Sequence, residues 1–318
     1  MPYADFLAFL HTEQELITHR LQPVDPDLLL DVALMTSVPP PPFFQQETGM
    51  MVEEHLLFRR LLEADRNAAK VRKFYGVQHP PEGATEGDLR RLRDAGVRFM
   101  TLAYKGPNEY GGGFVDSNAP LTTRGEWLVR QMADNDIVLD LSHAGHTTAW
   151  DALCVIQARG IRMKVVATHC GVFEAHPHKR NLPRDVLGAL SDLSGIVGIP
   201  TMSWMLTEKA RDDGVMNRLD GHLQLAMDVM GEDRVCIGSD QIYRNVSESD
   251  RAASFEMMSR GLDADGAFEA RLPQEAPVLN SPRRLEVLGR MLKGNAPFND
   301  RTIEKLVGTN LMAFFDAL

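Results

Sequence analysis

The chain has 318 residues, 44 % of them hydrophobic and 25 % charged, which is ordinary globular composition with ample material for a core. Basic residues number 34 against 44 acidic ones, a formal net charge of −10 that argues against nucleic-acid binding. No apolar run is long enough to cross a membrane, and the first residues show no signal-peptide pattern. Cys154, Cys170 and Cys236 are odd in number and widely spaced, so no disulfide framework is expected and a reducing, cytoplasmic compartment is.

In chain order, residues 1–27 read as an N-terminal helical segment, with an amphipathic helix over 4–21. Strand-like apolar runs follow at 28–36, 71–78, 97–104, 137–143, 164–170, 196–202 and 235–240. They do not alternate, as expected of strands buried on both faces. Helix-period segments lie between them at 85–95, 121–133, 147–159, 184–193 and 221–230. Gly96, Gly160 and Gly195 each stand between a helix and a strand, where helix C-caps belong. The stretch 37–44 contains four consecutive prolines and is expected to be extended. A long polar insertion occupies 242–281, and C-terminal helices occupy 282–318. This alternation predicts an α/β fold, a TIM-type (β/α)8 barrel over 1–318 as a single domain, with an atypical or missing first strand. An open doubly wound sheet is the alternative.

In such a barrel, chemistry sits at the C-terminal strand ends. There the sequence places Asp140-Leu141-Ser142-His143, Thr168-His169-Cys170, Gly238-Ser239-Asp240, Gln78 and Tyr104. Two imidazoles and a carboxylate converging on one mouth suit zinc or a similar ion. Such an ion acidifies bound water, and Asp240 is placed to take the proton. The loop after the second histidine carries Arg180, whose planar fork suits a carboxylate. His176 and His178 flank a proline and are expected to be exposed. Trp204 follows a strand and is placed to line a pocket.

Together these segments resemble the renal (membrane) dipeptidase family of metallopeptidases. The likeness runs through 96–104 (Gly-Val-Arg-Phe-Met-Thr-Leu-Ala-Tyr), 121–143, 165–187 and 229–240, with Gly308 and Asn310 in the tail. The resemblance implies a (β/α)8 barrel that hydrolyses dipeptides, some with a D-residue on the C-terminal side. In that family a glutamate bridges two zinc ions and two histidines complete one site. A His-x-Asp pair on the first strand and a later aspartate complete the other. His143 and His169 match the two histidines, Asp240 the later aspartate, and Arg180, followed by Asn181, the arginine that holds the substrate carboxylate.

This chain departs from the pattern at several points. No His-x-Asp pair occurs before residue 71, the bridging glutamate falls on Gln78, and a further active-site histidine falls on Tyr104. The expectation is therefore at most one divalent metal, zinc first, on His143, His169 and either Gln78 or Asp240, or none. Asp240 is then the general base, Tyr104 a donor to the developing oxyanion, and Arg180 and Asn181 the substrate-binding pair. The partner is a small molecule with a free carboxylate, with no nucleic acid and no membrane involved, and a homodimer is expected by base rate. The alternatives are another amide hydrolysis or a lyase step on the same barrel, or an inactive relative that acts in binding.

Overall fold

The computed structural model describes residues 1–11, 15, 21–37, 48–208, 212–261, 263–295 and 298–318. Its strands are β1 (Ala4–Asp5), β2 (Ala8–Phe9), β3 (Val32–Ser37), β4 (Arg72–Val77), β5 (Val97–Thr101), β6 (Val138–Asp140), β7 (Val165–Ala167), β8 (Ile196–Ile199), β9 (Val235–Ile237) and β10 (Gln241–Ile242). Eight of them form one parallel sheet in the order β1-β3-β4-β5-β6-β7-β8-β9, and β2 pairs with β10 beside it. The seven apolar runs thus become β3 to β9; β5 to β9 are shorter because the C-terminal part of each run turns into the mouth, β4 loses one residue at each end, and β3 starts four residues later than its run and ends one residue beyond it.

The first strand is a correction. Ala4 and Asp5 pair in parallel with Val32 and Ala33, so residues 4–9 are extended where a helix was expected. Phe6, Leu7 and Leu10 have helix-like spacing, but they are recruited by distant backbone. Phe6 N–H donates to Ile237 O at 2.9 Å and Asp240 N–H to Leu7 O at 2.9 Å, which joins the two edges of the sheet into a barrel. Buried Asp5 fastens this seam: one oxygen accepts Leu7 N–H (3.0 Å) and Ser239 N–H (2.8 Å), the other the Tyr243 hydroxyl (2.5 Å). The expected helix partly, and the proline run almost wholly, lie outside the described residues.

The outer helices are α1 (Thr48–Ala64), α2 (Glu86–Ala95), α3 (Thr123–Asp134), α4 (His146–Ala158), α5 (Arg184–Asp192), a short α6 (Ser203–Leu206) and α7 (Asp212–Met230). Their starts follow local chemistry. Thr85 and Asp88 form a reciprocal capping box on α2, and Thr122 caps α3. Gly96 ends α2 at φ 103°, a conformation open to glycine, whereas the left-handed residue between α5 and β8 is Ser194, not Gly195. Helix α8 (Glu248–Gly261) lies in the polar insertion, and α9 (Arg284–Asn295), α10 (Asp300–Glu304) and α11 (Asn310–Asp316) close the chain.

Inside the barrel, Ala4, Phe6, Val32, Leu34, Phe99, Val138, Val166, Ile196 and Cys236 pack with Leu311 and Phe315 of α11. Phe6 meets Phe99 and Phe315 edge-to-face at 6.3 and 5.9 Å. This apolar packing leaves the opposite, C-terminal end of the strands for polar side chains. Among the described residues, no helix is long and apolar enough to cross a membrane.

Candidate active site

The mouth of the barrel opens into a pocket of about 200 Å³. Gln78, Tyr104, His143 and Asp240 line it, each just beyond the end of a different strand, together with Arg180 from the loop that follows β7. Between them stand apolar walls of Phe9, Met202, Trp204, Met205 and Phe268, and helix α8 adds Ser254, Met257 and Met258. Trp204 is where the sequence placed it. The part played by α8 had no sequence signal, because the insertion carries little amphipathic periodicity.

Two of the five described non-glycine residues with positive φ are His143 (71°) and Asp240 (55°). Both take this unfavourable conformation at the point where the strand must release its side chain into the mouth, and such strain gathers at functional sites. Just before Asp240, a Cβ on Gly238 would meet Thr168 O at 1.8 Å, so no larger residue fits between these strand ends.

Behind His143 runs a buried hydrogen-bonded chain. Asp140 Oδ1 accepts Ser142 N–H and Thr168 N–H, and Oδ2 accepts the Thr168 hydroxyl at 2.6 Å. Because that hydroxyl proton is used, Thr168 Oγ1 accepts from His169 Nδ1 at 2.8 Å. The Nε2 of His169 then carries a lone pair, and His143 Nε2 donates to it at 3.0 Å. Burial, with Arg180 nearby, holds both imidazoles well below the usual histidine range, so both are neutral. Tyr104 stacks on His143 with ring centroids 4.0 Å apart.

Arg180 is only 4 % exposed, yet it lines the pocket, and its Nη1 has no hydrogen-bond partner among the described residues. Burial depresses its pKa, and Asp240 is the largest opposing influence. Asp240 in turn is pushed up to about 7 by burial, against the pull of Arg180 and with a push from Asp5. No ion pair within 4.0 Å joins the two among the described residues, so they face a shared space without closing it.

Asn181 behaves differently from its expected role. It is fully buried; its oxygen accepts Gly171 N–H at 2.9 Å, and its amide donates to His176 O and Met205 O at 2.9 and 2.7 Å. All these bonds shape the loop that carries Arg180, and the side chain is not in the pocket wall. His176 and His178 are buried, not exposed. The loop folds inward, with His178 Nε2 bonded to Phe268 O at 3.0 Å.

The donor set does not suit a two-metal centre. Among the described residues, no three His, Cys, Asp or Glu side chains converge as ligands. After the first strand the chain brings Phe9 into the pocket wall, and no His-x-Asp pair occurs there. Gln78 donates its amide to Thr36 Oγ1 at 2.8 Å, leaving only a neutral oxygen, which cannot offset the repulsion of two dications. Arg180 adds a fixed positive charge near both imidazoles. Two neutral histidines bonded to each other remain, with one amide oxygen and the Asp240 carboxyl in the same pocket wall.

Comparison with known proteins places this barrel. The model of the membrane dipeptidase family (peptidase family M19) matches residues 63–266. The chain belongs to this family. Among curated relatives, the dipeptidase tcpJ of Claviceps purpurea is 27 % identical over 248 residues, covering 74 % of this chain and 56 % of the relative. The dipeptidase aclJ of Aspergillus oryzae is 30 % identical over 165 residues, covering 50 % of this chain and 37 % of the relative. The chain thus spans about half the length or less of these two curated relatives. A metallopeptidase from Rhodobacter sphaeroides, solved with a phosphinate mimic of L-Ala-D-Ala, superposes with a TM-score of 0.73 at 18 % identity, covering 99 % of both chains. At that identity the likeness speaks for the fold.

Proposed function

We propose that this member of the membrane dipeptidase family is a dipeptidase-like hydrolase of amide bonds in dipeptides or similar small carboxylates. The observation that carries the reading is the pair of opposite charges lining one pocket: buried Arg180 with an unpartnered Nη1, and Asp240 raised to about 7.

Arg180 takes the substrate carboxylate, a charge-assisted bond made strong by burial. That contact draws the amide into the space facing Asp240. As carboxylate, Asp240 removes a proton from a water molecule as the water oxygen attacks the amide carbonyl carbon. The Tyr104 hydroxyl donates to the developing oxyanion. When the C–N bond breaks, Asp240 returns the proton to the leaving nitrogen, giving a carboxylic acid and an amine. A pKa near 7 suits a group that must first accept and then release a proton at neutral pH.

No step here passes through a metal, because the ligand set does not suit the family's zinc pair. The mutual bond of His143 and His169 keeps the mouth rigid behind Tyr104. The test is a panel of L,L and L,D dipeptides and N-acyl amino acids followed by product chromatography, with wild type and Asp240→Asn side by side. Turnover of a panel member that Asp240→Asn abolishes supports the reading. Equal turnover in both proteins, or none on any amide while another small carboxylate is consumed, contradicts it.

A further inference from the structure

The loop that carries Arg180 is bonded to the apolar walls on either side of it. Phe268 O can only accept, so Nε2 of His178 donates to it at 3.0 Å, and the lone pair on Nδ1 of the same ring accepts Arg180 N–H at 3.2 Å. One buried imidazole, kept neutral because burial lowers it to about 4, thus ties the backbone of the arginine to that of the phenylalanine. On the other flank Asn181 donates to Met205 O at 2.7 Å, which fastens the loop to α6. Helix α6 is fastened in turn to the segment around Phe268. Ser203 N–H donates to Gln274 O at 2.7 Å and the Ser203 hydroxyl to Pro273 O at 2.5 Å, while the Arg271 guanidinium donates to Thr207 O just past α6.

The side chains held in this way are apolar. Trp204, Met205 and Phe268 line the pocket with Arg180. The Phe268 ring lies 4.7 Å from Phe114 and 6.1 Å from Tyr104, and the Arg180 guanidinium carbon lies 5.7 Å from the Phe114 ring, so phenylalanine and guanidinium share one neighbour. Among the described residues of the pocket wall, Arg180 and Asp240 carry the only side-chain charges, since burial keeps His11 and His143 neutral. An acidic side chain on a substrate would therefore compete with the substrate's own carboxylate for Arg180, and a basic one would occupy Asp240. In an α-amino acid the side chain branches from the carbon that bears the carboxylate. A carboxylate on Arg180 consequently sets that side chain beside the guanidinium, where these walls stand.

We propose that the pocket is selective for substrates whose carboxylate-bearing residue has a large apolar side chain, aromatic first, and that Phe268, with Trp204 and Met205, forms the subsite that takes it. This deepens the proposed function and rests on its reading of Arg180 as carboxylate clamp. A ring meets Phe268 and Trp204 in tilted or edge-to-face contact, and the Met205 thioether packs against an aromatic edge. Backbone bonds wire the walls to the clamp's own loop, so the subsite stands formed before substrate arrives and little is lost in ordering it. Phe268 here determines specificity and takes no part in the chemistry.

The test is calorimetric titration with two carboxylates that hold no cleavable bond, 3-phenylpropanoate and butanoate. In the wild type the phenyl compound is expected to bind about tenfold more tightly, through burial of its ring. In Phe268→Ala, which keeps the carbonyl that His178 holds, the ratio should fall to about threefold or less. Phe268→Leu, still apolar, should recover part of it and so separates loss of the wall from general damage to the mouth. Arg180→Gln should weaken both probes. A wild-type ratio near one, a ratio undiminished in Phe268→Ala, or a leucine variant as poor as the alanine one overturns the subsite, while dependence of both probes on Arg180 still upholds the clamp. If Arg180→Gln changes neither affinity, or neither probe binds, clamp and subsite fall together. A Phe268-dependent preference in a protein that turns over no amide upholds the subsite and counts against the hydrolase reading alone.

Discussion

At the ends of β6 and β7, Asp140, Ser142, Thr168, His169 and His143 form one continuous hydrogen-bonded chain, and Arg180 follows on the next loop. At the ends of β1, β3 and β4, the corresponding positions hold Leu7, Thr36 and Gln78, with Phe9 beyond, and none is charged. One half of the mouth holds two histidines tied into a hydrogen-bonded chain; the other holds no charged side chain among the residues named. The difference shows how two buried imidazoles can be held in place by neighbouring side chains. Thr168 and Asp140 orient His169, and His169 receives His143, so both Nε2 atoms and His169 Nδ1 have partners within the protein, while His143 Nδ1 has none among the described residues. The opposite half is held by a single side-chain bond, Gln78 to Thr36, beside apolar groups.

The largest expected effect breaks the polar half at its base. Asp240→Asn should lower kcat by about 10²- to 10⁴-fold with KM little changed, measured on the best amide from the panel. Next, Arg180→Gln should lower kcat/KM by about 10²-fold, chiefly through KM, because a buried hydrogen-bonded charge is lost from recognition. A rate that falls equally in kcat and kcat/KM, with KM constant, would move Arg180 from recognition to chemistry.

The pH profile sharpens the contrast further. Asp240 has a pKa near 7 and acts as carboxylate, so kcat/KM should rise about tenfold per pH unit below 7 and level off above it. A flat profile from pH 5 to 8 would remove Asp240 as the base. Gln78→Glu probes the other half. Restoring one carboxylate beside His143 and His169 should raise zinc content toward one per chain after incubation with zinc, read by elemental analysis. No gain would mean that Arg180, and not the missing carboxylate, is what opposes the cation.

The smallest effect concerns stability. Burial lowers His79 and His178, one near each half, and also His55 and His222, to about 4. Each is neutral when folded but charges below about 6.5 when unfolded, so their contribution is complete above 6.5 and is lost as pH falls toward 4. Tm should decline steadily over that window, in thermal melts followed by circular dichroism. A Tm that holds constant down to pH 4 would place these imidazoles in more polar surroundings.

Strands β3 to β9 were legible because residues buried on both faces leave unbroken apolar runs, and short turns mark their ends. Strand β1 was not, since it is held by β3 on one side and by Ile237 and Ser239, more than 200 residues away, on the other, while its own spacing imitates a helix. His143, Arg180, Asp240, Gln78 and Tyr104 were readable as strand-end or loop residues, and all five line the pocket. Asn181 was read as a substrate ligand, but backbone partners use its whole amide. His11, which also lines the pocket, was missed because it lies in the stretch that looked helical. A functional or partly helical insertion was expected at 242–281, but the place of α8 in the pocket wall was not read, because a wall that offers serine and methionines to a pocket has no pattern distinct from a surface helix.

The measurement that bears most directly on this divided mouth is zinc per chain, by elemental analysis of protein purified without chelator or added metal, beside a His143→Ala/His169→Ala variant. Content well below one in both proteins is expected, since the polar half offers two mutually bonded imidazoles and a carboxyl opposed by Arg180, and the other half no anion. One or two zinc ions per wild-type chain, lost in the double variant, would contradict it and return the family's metal to the centre of the reaction.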